Sequence, residues 1–398
     1  MSKPVAIVAG YLVRYPLGGH VLSQLHFLVG LQRLGYEVVF AEQYGWPSSC
    51  YDPRTNSSTN DPTYGIAELR RAFEKIGVNR WCYVDADGNY HGMSREELGR
   101  VCCDADFLLS VAAVTWLDQF RDCKKRIFWD ADPGFTQFGM PATPAPSCDG
   151  YASPYDFQFH FTIGERIGKV DCPIPTHGLN WRPTRWPMAL ELVTPRFTPE
   201  AKFFTTIMSW SARKPVIYNG EEYGQKDVEF IRIFDLPKRV GPMFEIALAG
   251  PNAPREQIAA AGWRIANPLK VTATPWTYLE YIAQSRGEFS VAVNLEVKAR
   301  SGWFSDRTAV YLASGKPAIV QDTGFSEIIP CGEGLFAFSA EDDVVEAVEK
   351  INSDYAKHCR AARAVVVDYF DSDKALAALL RACDLPVPAD SGRHRQKL

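Results

Sequence analysis

Short β-branched runs alternate with segments of helical period along this chain, and the alternation breaks off once and starts again. Val5 to Ala9, Glu37 to Glu42, Phe107 to Val111, Arg126 to Asp130 and Phe159 to Ile163 are strand-like. Between the first two, Val21, Leu25, Leu28, Val29 and Leu31 recur at helical spacing, and Gly35 stops the pattern. Residues 172 to 198 then hold Pro173, Pro175, Pro183, Pro187, Pro195, Trp181 and Trp186 with no period, which marks a boundary. Phe203 to Ile207 restarts the alternation. Glu245 to Ala249, Phe289 to Asn294 and Ala318 to Val320 continue it as strands, with helices expected over Val228 to Phe234, Thr277 to Gln284, Ala340 to Ile351 and Asp354 to Tyr369. Strands that alternate with helices form parallel sheets covered on both faces. The predicted class is α/β, with two facing Rossmann-like domains and a ligand cleft between them. The expected domains are 1–185, 186–370, and a terminal segment 371–398 that packs back across and ends in a frayed basic tail.

A length of 398 residues suits two domains, and 46% hydrophobic with 23% charged residues is globular composition. The net charge of −4 argues against nucleic acid or an anionic membrane as a partner, and the short basic run Arg393 to Lys397 does not alter that expectation. No apolar run approaches the ~20 residues that span a bilayer. The first residues read as a strand rather than a signal peptide. The ten cysteines include no C-x-x-C pair, so reduced thiols and a cytoplasmic location are expected.

The stretch with most chemical content runs from Ser301 to Glu327. It reads as a polar loop, a helix, a stop at Gly315, a turn at Pro317 and a buried strand. Ser305 and Asp306 are good N-cap types. Free N–H groups and the helix dipole at such a start favour an anion. A second loop of the same kind, Leu17-Gly18-Gly19-His20, precedes the first helix. The G-x-G-x-x-G fingerprint is absent, which disfavours a nicotinamide oxidoreductase.

Taken together, five features resemble glycosyltransferases of the two-Rossmann (GT-B) type. They are Pro16 to Gly19; Ser209-Trp210 with Tyr223-Gly224-Gln225-Lys226; Ser305 to Thr308 with Ala313 to Pro317; Gly324 to Ile329 with Gly332-Glu333-Gly334; and the terminal helices. The resemblance spans nearly the whole chain. It implies a nucleotide-sugar donor held chiefly by the C-terminal half and an acceptor held by the N-terminal half. It casts Lys226 as the cation on the donor diphosphate, Ser305, Asp306, Arg307 and Thr308 as the phosphate-cradling turn, and Gly324 and Glu327 as neighbours of the sugar or nucleotide. The retaining subgroup with two glutamates separated by seven residues is not matched, since Gly302 and Val310 stand there.

The reaction so implied is metal-independent transfer of a sugar from a nucleotide diphosphate to an acceptor hydroxyl. It needs no cofactor, because the nucleotide-sugar is a substrate. The leaving diphosphate calls for fixed positive or N–H groups, for which Gly18 and Gly19 add close backbone approach. The acceptor calls for a base: His20, or Asp130 and Asp132 at the end of a first-half strand. Each has a plainer reading. The glycines can be a turn, His20 and Glu327 caps, and Arg307 a surface partner of Asp306 or Asp322. Asp130-Ala131-Asp132 has the D-x-D form of a metal site, but Asp85-Ala86-Asp87 repeats it in a turn, so no metal is expected. Tyr44 to Tyr51, with Trp46, offers rings on which a sugar or apolar group can stack. The alternatives are a sugar-nucleotide epimerase or hydrolase on the same fold and a non-catalytic sugar-nucleotide-binding protein. Base, sugar, acceptor, anomeric outcome and oligomeric state are not written in the spacing.

Overall fold

A computed structural model of the chain describes residues 3–141, 143–148 and 151–387. The basic run 393–397 lies outside them. The chain forms two units. One comprises Met1–Ala131, Pro141–Phe161 and Ser372–Leu398, and the other Asp132–Met140 and Thr162–Asp371. The division is therefore not a single cut in the sequence.

The first unit is built on a mainly parallel sheet in the order Arg126–Asp130, Phe107–Val111, Val5–Ala9, Glu37–Gln43, Arg80–Val84, with Tyr90–Gly92 antiparallel at the edge. Its central registers pair Ala6 with Val38 on one side and with Phe107 on the other. Ile7, Val8, Val39 and Leu108 are buried, as strands covered on both faces require. Helix Gly18–Arg33 is buried along most of its length, which is why its apolar residues nearly surround the axis. Helix Ser372–Ala382 closes over it. A Cβ at Gly30 would meet Leu376 Cδ1 at 2.5 Å and Ser372 Cβ at 2.9 Å, so the glycine is what lets these two helices touch.

A buried carboxylate shapes the first loop of this unit. Glu42 accepts the backbone N–H groups of Leu12, Val13 and Arg14 at 2.6, 2.8 and 2.9 Å. Its other tie is the Arg14 Nε at 3.3 Å. Burial pushes the Glu42 carboxyl up, against the pull of Arg14 and the three N–H donors. Arg14 in turn donates to the Val114 carbonyl at 2.7 Å, and Thr115 Oγ1 donates to the Gly10 carbonyl at 2.7 Å. The loop after the first strand is thus fixed from the second strand and from the loop after Phe107–Val111.

The second unit holds a six-stranded parallel sheet in the order Arg264–Ala266, Phe244–Ala249, Phe204–Ser209, Gly287–Ser290, Ala318–Gln321, Leu335–Phe338. One face carries a continuous aromatic core. Phe244 lies 5.1 Å from Trp263 and 4.8 Å from Phe289, and Phe289 stacks on Phe338 at 5.4 Å, between ring centroids. The expected strand Phe289 to Asn294 ends instead at Ser290, and Asn294–Ala299 is a helix. Gln321 Oε1 accepts the Ala292 N–H at 3.1 Å, so side chains take over from the ladder there.

Glu42→Ala should destabilise the first unit by about 3–5 kcal/mol, because Arg14 and three N–H groups would be left buried without their acceptor. Thermal unfolding followed by tryptophan fluorescence measures this. A melting temperature within a degree of the parent would show that the loop holds without Glu42.

Candidate functional site

In the second unit the strand order reverses between Phe204–Ser209 and Gly287–Ser290, and ligands of open α/β sheets bind beyond the carboxyl ends at such a point. Arg307 sits under it. Its Nε donates to Glu288 at 2.7 Å, its Nη1 to the Ile207 carbonyl at 2.7 Å, and its Nη2 to Ser290 Oγ. Glu288 is fully buried, and its second oxygen has no hydrogen-bond partner among the described residues. The expectation of a surface pair with Asp306 or Asp322 does not stand. The guanidinium is drawn inward because Glu288, a strand residue with no access to water, needs a counter-charge.

Lys226 opens the short helix Lys226–Ile231 next to this strut. Its ammonium makes no hydrogen bond or ion pair among the described residues, and the side chain is half-buried. Its pKa is pushed down to about 7, first by burial and then by the neighbouring Arg307, with Glu288 and Asp306 pulling the other way. The loop before it is anchored: the Asn294 side chain accepts the Gly224 N–H at 2.8 Å and donates to Glu229 at 2.6 Å. Glu229, buried, also accepts from Gln321. The Gln225 amide nitrogen beside Lys226 is buried and has no hydrogen-bond partner among the described residues.

The turn Ser305 to Thr308 starts helix Asp306–Ala313, with Ser305 as N-cap accepting the Arg307 N–H at 3.2 Å. One of the N–H groups expected for a phosphate is therefore already used. Asp306 puts a carboxylate at the same end, its pKa raised by burial. In front of the helix, Ser290, Ser305, Thr308, Trp303, Gln321 and Phe325 help line a cavity of ≈ 10 Å³, which is room for about one water. Diphosphate cannot enter that cavity. The exchangeable positive charge of this site is Lys226.

Gly324 and Glu327 lie on the loop after Ala318–Gln321. Gly324 has φ +93, and a Cβ there would meet Arg166 Cδ at 2.6 Å. The Glu327 carboxylate is held by both Arg166 and Arg300. Asp132, in the same unit, pairs with Arg213 at 2.8 Å, and the Arg213 guanidinium lies 4.8 Å from the Phe135 ring centroid. Among the described residues no group of three His, Cys, Asp or Glu side chains converges as a metal site.

Gly18, Gly19, His20 and Asp130 belong to the first unit. Both glycines lie inside the first turn of helix Gly18–Arg33, which has no acidic residue there and no side-chain cap. The His20 ring is 4.0 Å from that of Tyr11, and its Nε2 lies 2.5 Å from the Tyr11 carbonyl oxygen. A carbonyl only accepts, so Nε2 carries the proton and Nδ1 is the basic nitrogen of the neutral ring. Asp130 is fully buried at the end of its strand. Glu288, Glu229, Asn294, Gln321, Arg166, Arg14 and Glu42 organise the loops yet carry no motif. Only their polarity inside or beside apolar runs could have drawn notice.

No family model matches the sequence, and no curated protein matches it. Solved structures do match. An α-glucosyltransferase in complex with UDP and a 13-mer DNA containing an HMU base is 10% identical, over 96% of this chain and 99% of its own, with a TM-score of 0.60. A glycosyltransferase from Rickettsia africae ESF-5 is 10% identical over 96% and 98%, with a TM-score of 0.53. AviGT4, a glycosyltransferase involved in avilamycin A biosynthesis, is 14% identical over 95% and 96%, with a TM-score of 0.50. The fold is GT-B. One expectation is corrected by the same comparison. Net charge was taken to exclude nucleic acid, yet a protein of this GT-B fold is seen bound to DNA. Nucleic-acid binding depends on local charge, so a whole-chain charge of −4 excludes nothing.

Arg307→Ala leaves Glu288 buried and unpaired and should cost the second unit about 3–5 kcal/mol. Lys226→Ala removes a desolvated charge and should leave stability unchanged or slightly higher. Calorimetry separates the two: equal melting temperatures for both variants would refute the assignment of strut and free cation.

Proposed function

We propose that this GT-B chain is a glycosyltransferase that moves a sugar from a nucleoside-diphosphate donor, with UDP the first nucleotide to assay, to an acceptor hydroxyl. The observation that carries it is Lys226: a half-buried ammonium without a hydrogen bond or ion pair among the described residues, at the reversal point of a parallel sheet. A diphosphate dianion supplies the counter-charge this position lacks. In the reaction the bond from the anomeric carbon to the diphosphate oxygen breaks, a new bond to the acceptor oxygen forms, and the acceptor's proton leaves. Lys226 stabilises the charge that develops on the diphosphate. His20 through Nδ1, or Asp130, takes the proton. Gly18 and Gly19 keep the helix start open to backbone contact, and the helix after Ser305 contributes its dipole. No resident cofactor or metal enters this reading.

The fold match supports the donor class: several of the matching structures hold UDP, and one holds UDP-glucose. The α-glucosyltransferase structures also hold DNA, so a nucleic-acid hydroxyl belongs among the acceptors to be assayed. All ten cysteines are free thiols, and among the described residues no helix is long and apolar enough to cross a membrane. A reducing, cytoplasmic setting is part of the proposal.

Thermal-shift measurement with nucleoside diphosphates is the first test. A ligand at ~100 times its Kd stabilises by ~2.7 kcal/mol, and the absence of any shift with every nucleoside diphosphate and nucleotide-sugar would remove the reading. Lys226→Ala should weaken UDP binding about 10–1000-fold.

The depressed pKa adds a pH signature. With a folded pKa of about 7, Lys226 is progressively neutral above that value in the ligand-free protein and must take up a proton to bind the dianion. Affinity for UDP should therefore fall by up to roughly tenfold per pH unit between pH 7 and 9, a range above the phosphate's own pKa of about 6. Isothermal titration in two buffers should show proton uptake. In Lys226→Arg, whose charge does not titrate, the dependence should vanish; its persistence would assign the titration elsewhere.

A further inference from the structure

The loops at the carboxyl ends of strands Val5–Ala9 and Glu37–Gln43 carry rings that the donor chemistry does not use. Tyr15 is 43% exposed and Trp46 54% exposed, far more than burial in a core would leave. Tyr15 lies 5.5 Å from Tyr51 and 5.9 Å from the His20 ring, between centroids. The array is held from below. The Arg14 guanidinium is 5.1 Å from the Trp46 ring and 5.3 Å from the Tyr11 ring, and it is locked by Glu42 and the Val114 carbonyl. The Tyr51 N–H donates to the Arg14 carbonyl at 2.9 Å. A Cβ at Gly45, whose φ is +78, would meet Arg14 Nη1 at 2.1 Å, so the turn next to Trp46 is shaped to this guanidinium. Trp46 and the Tyr51 backbone are thus tied to the same buried arginine, which lowers the ordering cost of stacking on them.

The rim of the array is hydroxyl- and amide-rich. The hairpin Cys50–Asp52 and Ser57–Thr59 exposes Thr55, Ser57, Ser58 and Thr59, and Asn56 accepts from the Tyr51 hydroxyl at 2.8 Å. Its charges are few: Arg54 is paired with Asp52 at 2.7 Å, and Asp61 is an anion that accepts from the Thr63 N–H. Among the described residues of this rim, no unpaired cation stands by to meet a phosphate. Flat apolar rings bordered by neutral hydrogen-bonding groups match a ligand with a C–H face and a hydroxyl edge.

We propose that the Tyr15–Trp46–Tyr51 face is the acceptor subsite and that the acceptor is an uncharged saccharide, stacked by its C–H face on these rings. The proposal rests on the transferase reading above. His20, which borders the array, places a basic nitrogen beside the hydroxyl that such a sugar presents.

The test uses the full chain with maltotriose, cellotriose and chitotriose as probes, by saturation-transfer NMR, and UDP by titration calorimetry. At least one trisaccharide should bind. Trp46→Ala should weaken it by about tenfold or more, the scale of a lost stacking contact, with Trp46→Phe closer to the parent and UDP affinity unchanged in both. If UDP binds but no trisaccharide does, the acceptor proposal is overturned and the transferase reading stands. If a dT10 oligonucleotide binds and Trp46→Ala abolishes it while the trisaccharides do not bind, the face takes nucleobases and the saccharide assignment is overturned. If neither UDP nor any nucleotide-sugar binds, both fall.

Discussion

A single buried ion pair, Arg307 with Glu288, sets the conditions for the loops at the carboxyl ends of the second unit's central strands. Parallel strands separate at the reversal point, and their last carbonyls lose ladder partners. Arg307 fills that gap with three donors aimed at Glu288, Ile207 and Ser290. Such a pair adds little net stability, because desolvating two charges offsets most of their attraction. What it adds is position. The helix that carries Arg307 is fixed to both diverging strands, and the guanidinium held there still lowers the pKa of Lys226 beside it.

The first unit solves the matching problem with the opposite charge. Glu42, on the second strand, gathers three backbone N–H groups from the loop after the first strand. Lysine would repel those donors, and glutamine could accept only through one oxygen. A carboxylate is the group that takes several N–H donors and an arginine at once. In both units, then, an ionised side chain buried at a strand end replaces lost ladder bonds and fixes a loop. Sequence periodicity shows that strands are there, and it is silent on which charge holds the loop beyond each end.

That distinction explains what could be read from the sequence. The alternation of strands and helices was legible because the central strands of both sheets are parallel and buried on both faces, so they are continuous apolar runs. Ser305 was legible as a cap and Gly315 as a breakpoint, because each obeys a local rule. Arg307 was not, since its Glu288 partner stands 19 residues away and its Ile207 partner 100. The tie of Glu327 to Arg166 was not legible for the same reason, since the two stand 161 residues apart. Helix Asn294–Ala299 was lost inside an apolar run because Val291 and Ala292 suit a strand, and only Gln321 and Asn294 show that the ladder has ended.

Lys226 gains its meaning from this arrangement. A lone lysine at a helix start is ordinarily a solvated charge, and its ammonium keeps its usual pKa. Here burial and Arg307 have lowered it to about 7, while the negative groups in reach fall short of restoring it. Glu288 is committed to Arg307 through one oxygen, and Asp306 is itself raised by burial. The ligand-free site thus holds a cation that is half-titrated near neutrality, a local deficit of negative charge around Lys226. A neutral ligand cannot remove that deficit, and a carboxylate removes it only in part. A diphosphate, with charge spread over several oxygens, supplies Lys226 with more counter-charge than a single carboxylate does. The physical case for an anionic donor therefore lies less in any motif than in a cation whose own fold leaves it incompletely balanced.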